Sequence, residues 1–256
     1  MKSAPSGSAD PDKYRYCHIK FFAREVLLDE EDPEHFVQEW AGHIEWADTE
    51  RAAGPVFIGA FSLCFVDLLG AELAGFSPFV VFDAHQSTLD VFQTLFDTET
   101  SELHESVEAL AFRDQFPAIE GVLVINQLMV LPEHRGHSVG LAALKTLIEQ
   151  FRGRATIAVL RAAPLQFEKA PLLAEAEIDR AELRLDTFSR SLRVAQSKLK
   201  RHFERLGFTP VSDTAYMVLD PCLPLPTYNV LTQPSRVRRP KLKGGRPKLL
   251  IVPTDE

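Results

Sequence analysis

One stretch near the middle of the chain constrains the fold most strongly. Residues 120–132 read EGVLVINQLMVLP, a nearly continuous apolar run that ends at a proline. Such a run is typical of a central strand that is covered on both faces. The turn HRGHSVG follows at 134–140, and then a helix with one apolar stripe from Leu141 to Phe151, closed by Gly153. The order strand, glycine-containing turn and helix is an architecture that binds phosphates.

The turn from Arg135 to Gly140 is expected to attract an anion such as a diphosphate. The first N–H groups of a helix have no partner within it, and they lie at the positive end of the helix dipole. His134 and His137 flank the turn and are expected to make charge-assisted contacts with phosphates. We predict no metal site, because no third ligand has a suitable spacing from these two histidines.

Periodicity predicts a mixture of helices and strands along the rest of the chain. The predicted strands lie within residues 16–28, 56–69, 76–82, 155–160 and 208–219, the last as a strand or hairpin. The predicted helices lie at 33–51, 87–97, 101–112 and 178–206. The helix at 178–206 has heptad-like spacing, which leaves two interpretations open: packing on the sheet, or a coiled-coil homodimer.

Composition indicates which cellular compartment and which class of protein the chain fits. Cys17, Cys64 and Cys222 are odd in number and widely spaced, which argues against a disulfide framework or a thiolate zinc site and favours the cytoplasm. No run of about 18 apolar residues is present, so we expect no membrane association through a spanning helix. Residues 1–13 lack the apolar region of a secretory signal and are predicted to be a flexible leader.

Charge is distributed unevenly over the chain. The net charge is −8, but residues 221–256 contain seven basic and two acidic residues, so this tail is +5 and residues 1–220 carry −13. The tail also holds seven of the 17 prolines, and we predict a Pro-rich basic tail that is extended. Residues 243–248 loosely resemble an AT-hook core, so nucleic-acid contact remains open beside a solvated tail. The acidic body favours a cationic small partner.

Two motifs in the second half of the chain resemble the GNAT superfamily of acyl-CoA-dependent N-acetyltransferases. LMVLPEHRGHSVGL at 128–141 is similar to the family's L-x-V-x-P-x-x-R-G-x-G-x-G, and HFERLGF at 202–208 is similar to its F-Y-x-x-L-G-F helix end. The motifs occur in the family's order with a predicted strand between them. The specific resemblance covers about residues 121–219.

The resemblance implies an α/β (α+β) fold with a mixed, mainly antiparallel twisted sheet flanked by helices. A GNAT-like acetyltransferase domain is expected over 14–220, with an extended helical insertion between Arg161 and Leu192 and the tail at 221–256. In such a fold the central strand splays from a neighbour and admits the pantetheine arm of acetyl-CoA. The cofactor-binding residues implied by the resemblance are Leu128, Met129, Val130, Arg135, Gly136, His137, Ser138, Val139, Gly140 and Phe203.

The chain departs from the family pattern at two positions. Ser138 replaces the second glycine, where its hydroxyl is available to cap the helix or to bond a phosphate. Phe203 replaces the tyrosine that protonates the departing thiolate, and Tyr216, His202 or water are the alternatives for this role. A general base is also unassigned: Glu120, Asp67 and Glu72 lie near predicted strand ends, and the catalytic candidates are Glu120 and Tyr216.

The resemblance implies transfer of an acetyl group from acetyl-CoA to a primary amine by direct attack, with an acceptor of unknown class. The alternative is a non-catalytic protein of the same fold that binds CoA and contacts a partner or nucleic acid through its tail. The chain has no G-x-S-x-G, P-loop or G-x-G-x-x-G motif, so it lacks the local signatures of serine hydrolases, NTPases and dinucleotide dehydrogenases.

Overall fold

A single open sheet organises the protein. The computed structural model describes residues 17–23, 31–46, 54–112, 117–168 and 180–232. The strands are β1 Cys17–Ala23, β2 Val37–Trp46, β3 Val56–Asp67, β4 Gly121–Val130, β5 Ile157–Arg161, β6 Thr209–Pro210 and β7 Tyr216–Leu219. The helices are α1 Leu68–Leu73, α2 Pro78–Phe82, α3 Gln86–Leu95, α4 Glu105–Phe112, α5 Val139–Gln150, α6 Leu192–Glu204 and α7 Tyr228–Thr232.

The seven strands lie in the order β1-β2-β3-β4-β5-β7-β6. Every neighbouring pair is antiparallel except β4 and β5, which are parallel. A parallel pair requires a crossover, and α5 supplies it between these two strands. The predicted fold class is confirmed: the protein is mixed α/β with a mostly antiparallel sheet flanked by helices, compatible with a GNAT-like fold.

Two hydrophobic clusters cover the two faces of the sheet. Alternate residues of β4 point to opposite faces, so Leu123 belongs to one cluster and Val124 to the other. The first cluster packs α5 and α6 on the sheet, and the second packs α1 to α4. Burial on both faces explains why β4 reads as a continuous apolar run.

The prediction of a helix at 33–51 is wrong for its described residues. Asp32 caps a short 3-10 turn at Pro33–Phe36, and the chain then continues as β2. Both faces of β2 carry apolar residues. Apolar residues spaced three and four apart therefore did not distinguish a helix from a strand in this segment. Gly42 fits the strand because a Cβ there would lie 2.2 Å from the carbonyl oxygen of Lys20 in β1.

Two further predictions of secondary structure are corrected. The strand predicted at 76–82 is instead α2, which begins at Pro78, where a proline fits the first helical turn. The long helix predicted at 178–206 begins only at Leu192. Leu183 is fully buried against Ala60 and Met129, and the left-handed residue Arg184 (φ 43°) interrupts any helix there.

The predicted helical insertion is therefore also wrong in its described part. Residues 161–168 and 180–191 contain turns and two short 3-10 segments, Leu165–Phe167 and Leu185–Thr187. The predicted leader, the tail beyond residue 232 and residues 169–179 of the insertion lie outside the described residues. Within the described part, no helix is both long and apolar enough to cross a membrane.

The pairing of β3 with β4 depends on a glycine. A Cβ at Gly59 would lie 2.2 Å from the carbonyl oxygen of Met129 and 3.2 Å from Cα of Val130. We expect Gly59→Ala to lower the free energy of unfolding by about 3 kcal/mol, because the two strands must separate to admit the methyl group. Urea unfolding measures this difference. Gly54→Ala is the control, since a Cβ at Gly54 has no neighbour within 4 Å and its stability should be nearly unchanged.

Candidate functional site

The parallel strands β4 and β5 separate part of the way along β4. They pair from Val122 with Ile157 to Ile125 with Leu160. On its other side, β4 stays paired with β3 as far as Val130. The backbone edge at 126–130 therefore has no partner in β5, and a gap opens between the two strands.

A β-bulge lies where the strands begin to separate. Leu63 of β3 pairs with Ile125, and its neighbour Ser62 pairs with Gln127. Asn126 is therefore an extra residue in β4. A bulge bends its strand and increases the local twist, which turns the end of β4 away from β5. The Asn126 side-chain amide donates to Sγ of Cys64 in β3 at 3.1 Å, and this contact holds the bulge against the sheet.

The gap opens into a cleft of about 510 Å³, a size typical of small-molecule sites. One wall is β4 from Ile125 to Val130, and another is the turn with the start of α5. Helix α6 and the insertion close the other sides. The residues that α6 contributes to the lining are Ala195, Lys198, Leu199, His202 and Phe203.

The turn before α5 presents backbone donors at the cleft. Gly136 has φ +84° and Ser138 has φ 59°, so the chain reverses sharply there. At the start of α5 the Ala142 amide donates to the Ser138 carbonyl at 3.0 Å. In the described part of the chain, the amides of Gly136, Ser138, Val139 and Gly140 have no intramolecular acceptor. These four donors are available for an anion at the helix N-terminus.

Ser138 does not use its hydroxyl as a helix cap. Its backbone adopts the left-handed conformation, which costs an ordinary residue about 1–2 kcal/mol. Oγ donates to the carbonyl of Leu231 in α7 at 2.8 Å and accepts from Nη2 of Arg205 at 3.3 Å. The same Arg205 nitrogen donates to the Leu231 carbonyl. The left-handed conformation that a glycine would adopt easily is thus retained here by a serine with two partners.

Arg135 connects three parts of the cleft. Its Nε donates to the Val130 carbonyl at 2.8 Å, at the end of β4. Its guanidinium lies 5.0 Å from the ring centroid of Phe188, which belongs to the insertion. Burial lowers the pKa of Arg135, although a guanidinium remains charged at neutral pH. The Arg135 side chain therefore holds the insertion over the end of β4, and its positive charge remains at the cleft.

The charge of the cleft differs from that of the whole chain. No Asp or Glu lines it among the described residues, whereas Arg135, Arg161 and Lys198 do. Arg161 is partly neutralised, because its Nη2 lies 2.7 Å from Oε1 of Glu168. The acidic residues of the described ranges lie outside this lining, and the described lining suits an anionic ligand.

His202 and Phe203 lie side by side on the wall formed by α6. Phe203 brings a ring without a hydroxyl to the cleft. Burial, and to a smaller extent the positive charge of Arg205, lowers the pKa of His202 to about 4. His202 is therefore neutral at pH 7 and offers one donor and one acceptor nitrogen to the cleft.

The low pKa of His202 predicts a loss of stability in mild acid. The unfolded chain binds a proton near pH 6.5 and the folded protein only near pH 4, so stability falls as the pH falls through this window. We expect the free energy of unfolding to drop by about 2 kcal/mol between pH 7 and pH 5 through this residue. Urea unfolding of wild type and His202→Asn at both pH values measures it, and equal pH dependence in the two proteins would contradict it.

The structure brings most of the predicted binding residues together. Those that line the cleft are Leu128, Met129, Val130, Arg135, Gly136, Ser138, Val139, Gly140 and Phe203. His137 lies in the same turn, half-buried, and His134 joins the lining. In the described part of the chain no three His, Cys, Asp or Glu side chains come together as metal ligands would.

The two catalytic candidates lie away from the cleft. Glu120 precedes β4, at the opposite end of the strand from Val130 and about 30 Å from it along the strand. Tyr216 is buried in the second cluster, on the face of the sheet opposite α5, and burial raises its pKa. Asp67 caps α1 by accepting from the amide of Gly70 at 2.9 Å, and Glu72 is exposed on that helix. The cleft contains none of these four residues.

Several residues that shape the site were not singled out in the sequence. Asn126 carried no signal, because a bulge is not visible in an apolar run. Arg205 occupies a position that the motif leaves open, and Leu231 belongs to a short apolar pair within the Pro-rich tail. That pair was the one available sign that residues 228–232 form a helix packed on the body.

Comparisons with known proteins add little to this geometry. No protein-family model matches the chain, and no curated protein matches it. Among solved structures, it is similar to a crystal structure of a mutant of KacT, with 10% sequence identity and a TM-score of 0.33. The match covers 80% of this chain and 95% of the KacT chain.

Proposed function

We propose that the protein is an N-acyltransferase of the GNAT type, which transfers an acetyl group from acetyl-CoA to a primary amine. The observation that carries the proposal is the separation of β4 from β5 beside the turn at 135–140. The gap between the strands suits a slender arm, and the four amides of the turn suit the anionic part of the same ligand. The cofactor has both of these parts, a slender pantetheine arm and a diphosphate.

The exposed edge of β4 supplies the polar partners of the arm. On the β5 side of β4, the backbone groups of the segment 128–130 are available to the amides of pantetheine, apart from the Val130 carbonyl, which accepts from Arg135. A backbone N–H aimed at the thioester oxygen would stabilise the charge that develops there, by about 3 kcal/mol for one good donor. Leu128 to Val130 is the segment that we assign to this role.

The reaction requires no covalent intermediate on the protein. The neutral amine attacks the thioester carbon, a C–N bond forms, the C–S bond breaks, and the amine proton leaves as the thiolate gains one. His202 is the titratable side chain of α6 that faces the cleft while neutral, so we assign it the proton exchange, directly or through water. We further propose that the enzyme acts in the cytoplasm, on an acceptor whose class is open.

A specific observation favours a second candidate, a non-catalytic protein that binds CoA. The described lining contains no carboxylate, and Phe203 lacks the hydroxyl of the family's general acid. In this case the cleft would hold CoA as a structural ligand, and the basic tail would contact a protein partner or nucleic acid.

Calorimetry and turnover separate the two candidates. We expect acetyl-CoA to bind with a dissociation constant in the micromolar range. Incubation with acetyl-CoA and a panel of primary amines, followed by assay of the released thiol, then tests catalysis. Binding with turnover supports the enzyme, whereas binding without turnover on any amine supports the second candidate. A folded protein that does not bind acetyl-CoA would contradict both.

A further inference from the structure

The C-terminal helix α7 packs directly against the start of α5. Leu231 is 1% exposed and belongs to the first hydrophobic cluster, together with Leu141 and Leu144 of α5. Pro221 is also buried, and the carbonyls of Pro221 and Leu223 accept from Arg152 at the other end of α5. The first 12 residues of the predicted tail thus run along α5 and end at the turn.

Three residues join α7 to the turn, and we call them the C-terminal clamp: Ser138, Arg205 and Leu231. The Leu231 carbonyl accepts from Oγ of Ser138 and from the Arg205 guanidinium, and that guanidinium also donates to Oγ. The clamp therefore ties together the turn, the C-terminal end of α6 and the last turn of α7.

The clamp acts on a residue that needs support. A serine at φ 59° is in a conformation that non-glycine residues disfavour, and such a residue persists where its surroundings hold it. Rotation of Ser138 to an ordinary conformation would swing its own amide and that of Val139 away from the cleft. The amides are the donors on which the proposed acetyl-CoA site depends.

We propose that Ser138 and Arg205 are positioning residues whose bonds to the Leu231 carbonyl hold the turn in its anion-binding conformation. The C-terminal segment 221–232 is then part of the acetyl-CoA site although it need not touch the ligand. This inference rests on the proposed function. It also explains why a serine can replace the glycine of the family pattern.

Substitution of Ser138 separates positioning from contact. Ser138→Ala loses the hydroxyl and still disfavours the left-handed conformation, so we expect the dissociation constant for acetyl-CoA to rise about tenfold. Ser138→Gly also loses the hydroxyl but adopts this conformation without strain, so its affinity should return to within about threefold of wild type. Calorimetry with acetyl-CoA measures all three proteins.

A second pair of variants controls for stability. Leu231→Ala loosens α7, whereas Leu95→Ala makes the same truncation of a fully buried leucine in the second cluster. Both variants should be less stable, and both are assayed at a temperature where circular dichroism shows them folded. We expect weaker acetyl-CoA binding, by about fivefold or more, from Leu231→Ala alone.

The outcomes are distinct. Weaker binding by Ser138→Ala with recovery in Ser138→Gly supports the clamp. Equal loss in both variants would assign the hydroxyl to direct contact with the ligand and would overturn the inference, as would unchanged affinity in Ser138→Ala. If the wild-type protein does not bind acetyl-CoA, the proposed function itself fails.

Discussion

Gly136→Glu is expected to weaken acetyl-CoA binding by about a hundredfold or more, which corresponds to about 3 kcal/mol. Gly136 has φ +84°, a conformation that a residue with a side chain rarely adopts, so the turn would be strained. The new carboxylate would also stand at the predicted diphosphate site, and opposed like charges cost several kcal/mol. Both effects act on the amides that we assign to the phosphates, and calorimetry with acetyl-CoA measures their sum.

Gly153→Glu is the matched control for this prediction. Gly153 follows the other end of α5, has the same φ of +84° and, like Gly136, has no atom within 4 Å of a built Cβ. The two variants therefore impose the same strain and the same charge at opposite ends of one helix. We expect Gly153→Glu to bind acetyl-CoA within about threefold of wild type. Equal loss of affinity in both variants would show that strain or net charge, and not the site, explains the effect.

Phe203→Tyr is expected to raise kcat by about a hundredfold, the lower end of what a positioned general acid contributes. The Phe203 ring lines the cleft, and the substitution adds a hydroxyl at the position where the family pattern has its tyrosine. The new hydroxyl can protonate the departing thiolate, whereas the wild-type ring cannot. Thiol release from acetyl-CoA at saturating amine measures the gain.

Phe188→Tyr controls for the added hydroxyl. Phe188 also lines the cleft, but it extends from the insertion and packs on Arg135. We expect kcat to change by less than about twofold in this variant, because its hydroxyl lies on another wall. An equal gain from both substitutions, or no gain from Phe203→Tyr in a protein that binds acetyl-CoA, would contradict the role assigned to position 203.

The sequence predicted β4, the following turn and α5 well because local rules determine these elements. The strand β4, the turn and α5 follow one another directly, and their period, their proline and their glycines are all local signals. The helices near 87–97 and 101–112 appear as α3 and α4 for the same reason. The hairpin of β6 and β7 also lies within the predicted range 208–219.

Predictions failed where tertiary contacts decide the structure. The segment 37–46 has apolar residues at helical spacing, but pairing with β1 and β3 makes it a strand. The heptad-like spacing does not produce a helix at 180–191, because Leu183 of the insertion is buried against Met129. Glu120 was proposed because it lies near a predicted strand end, and Tyr216 because its hydroxyl could replace the one that Phe203 lacks. The end of the sheet at which Glu120 lies and the face to which Tyr216 points could not be assigned before the register was known.

The clamp shows a third limit of the sequence. Ser138 and Leu231 are 93 residues apart, and no local pattern connects a serine in a turn with a carbonyl in a Pro-rich tail. The motif showed that Ser138 replaces a glycine, but it did not show that Leu231 is the partner of this serine. Contacts of this kind become visible only when the whole fold is known.

The amide resonances of the turn report directly on whether acetyl-CoA binds at the start of α5. In ¹H–¹⁵N spectra of the labelled protein, titration with acetyl-CoA should shift the signals of Gly136, Ser138, Val139 and Gly140, while Gly153 at the other end of α5 remains unchanged. We expect these four amides to respond together and to saturate at one ligand per chain. Saturating acetyl-CoA that leaves them unmoved, or that moves only signals outside the cleft, would contradict this expectation.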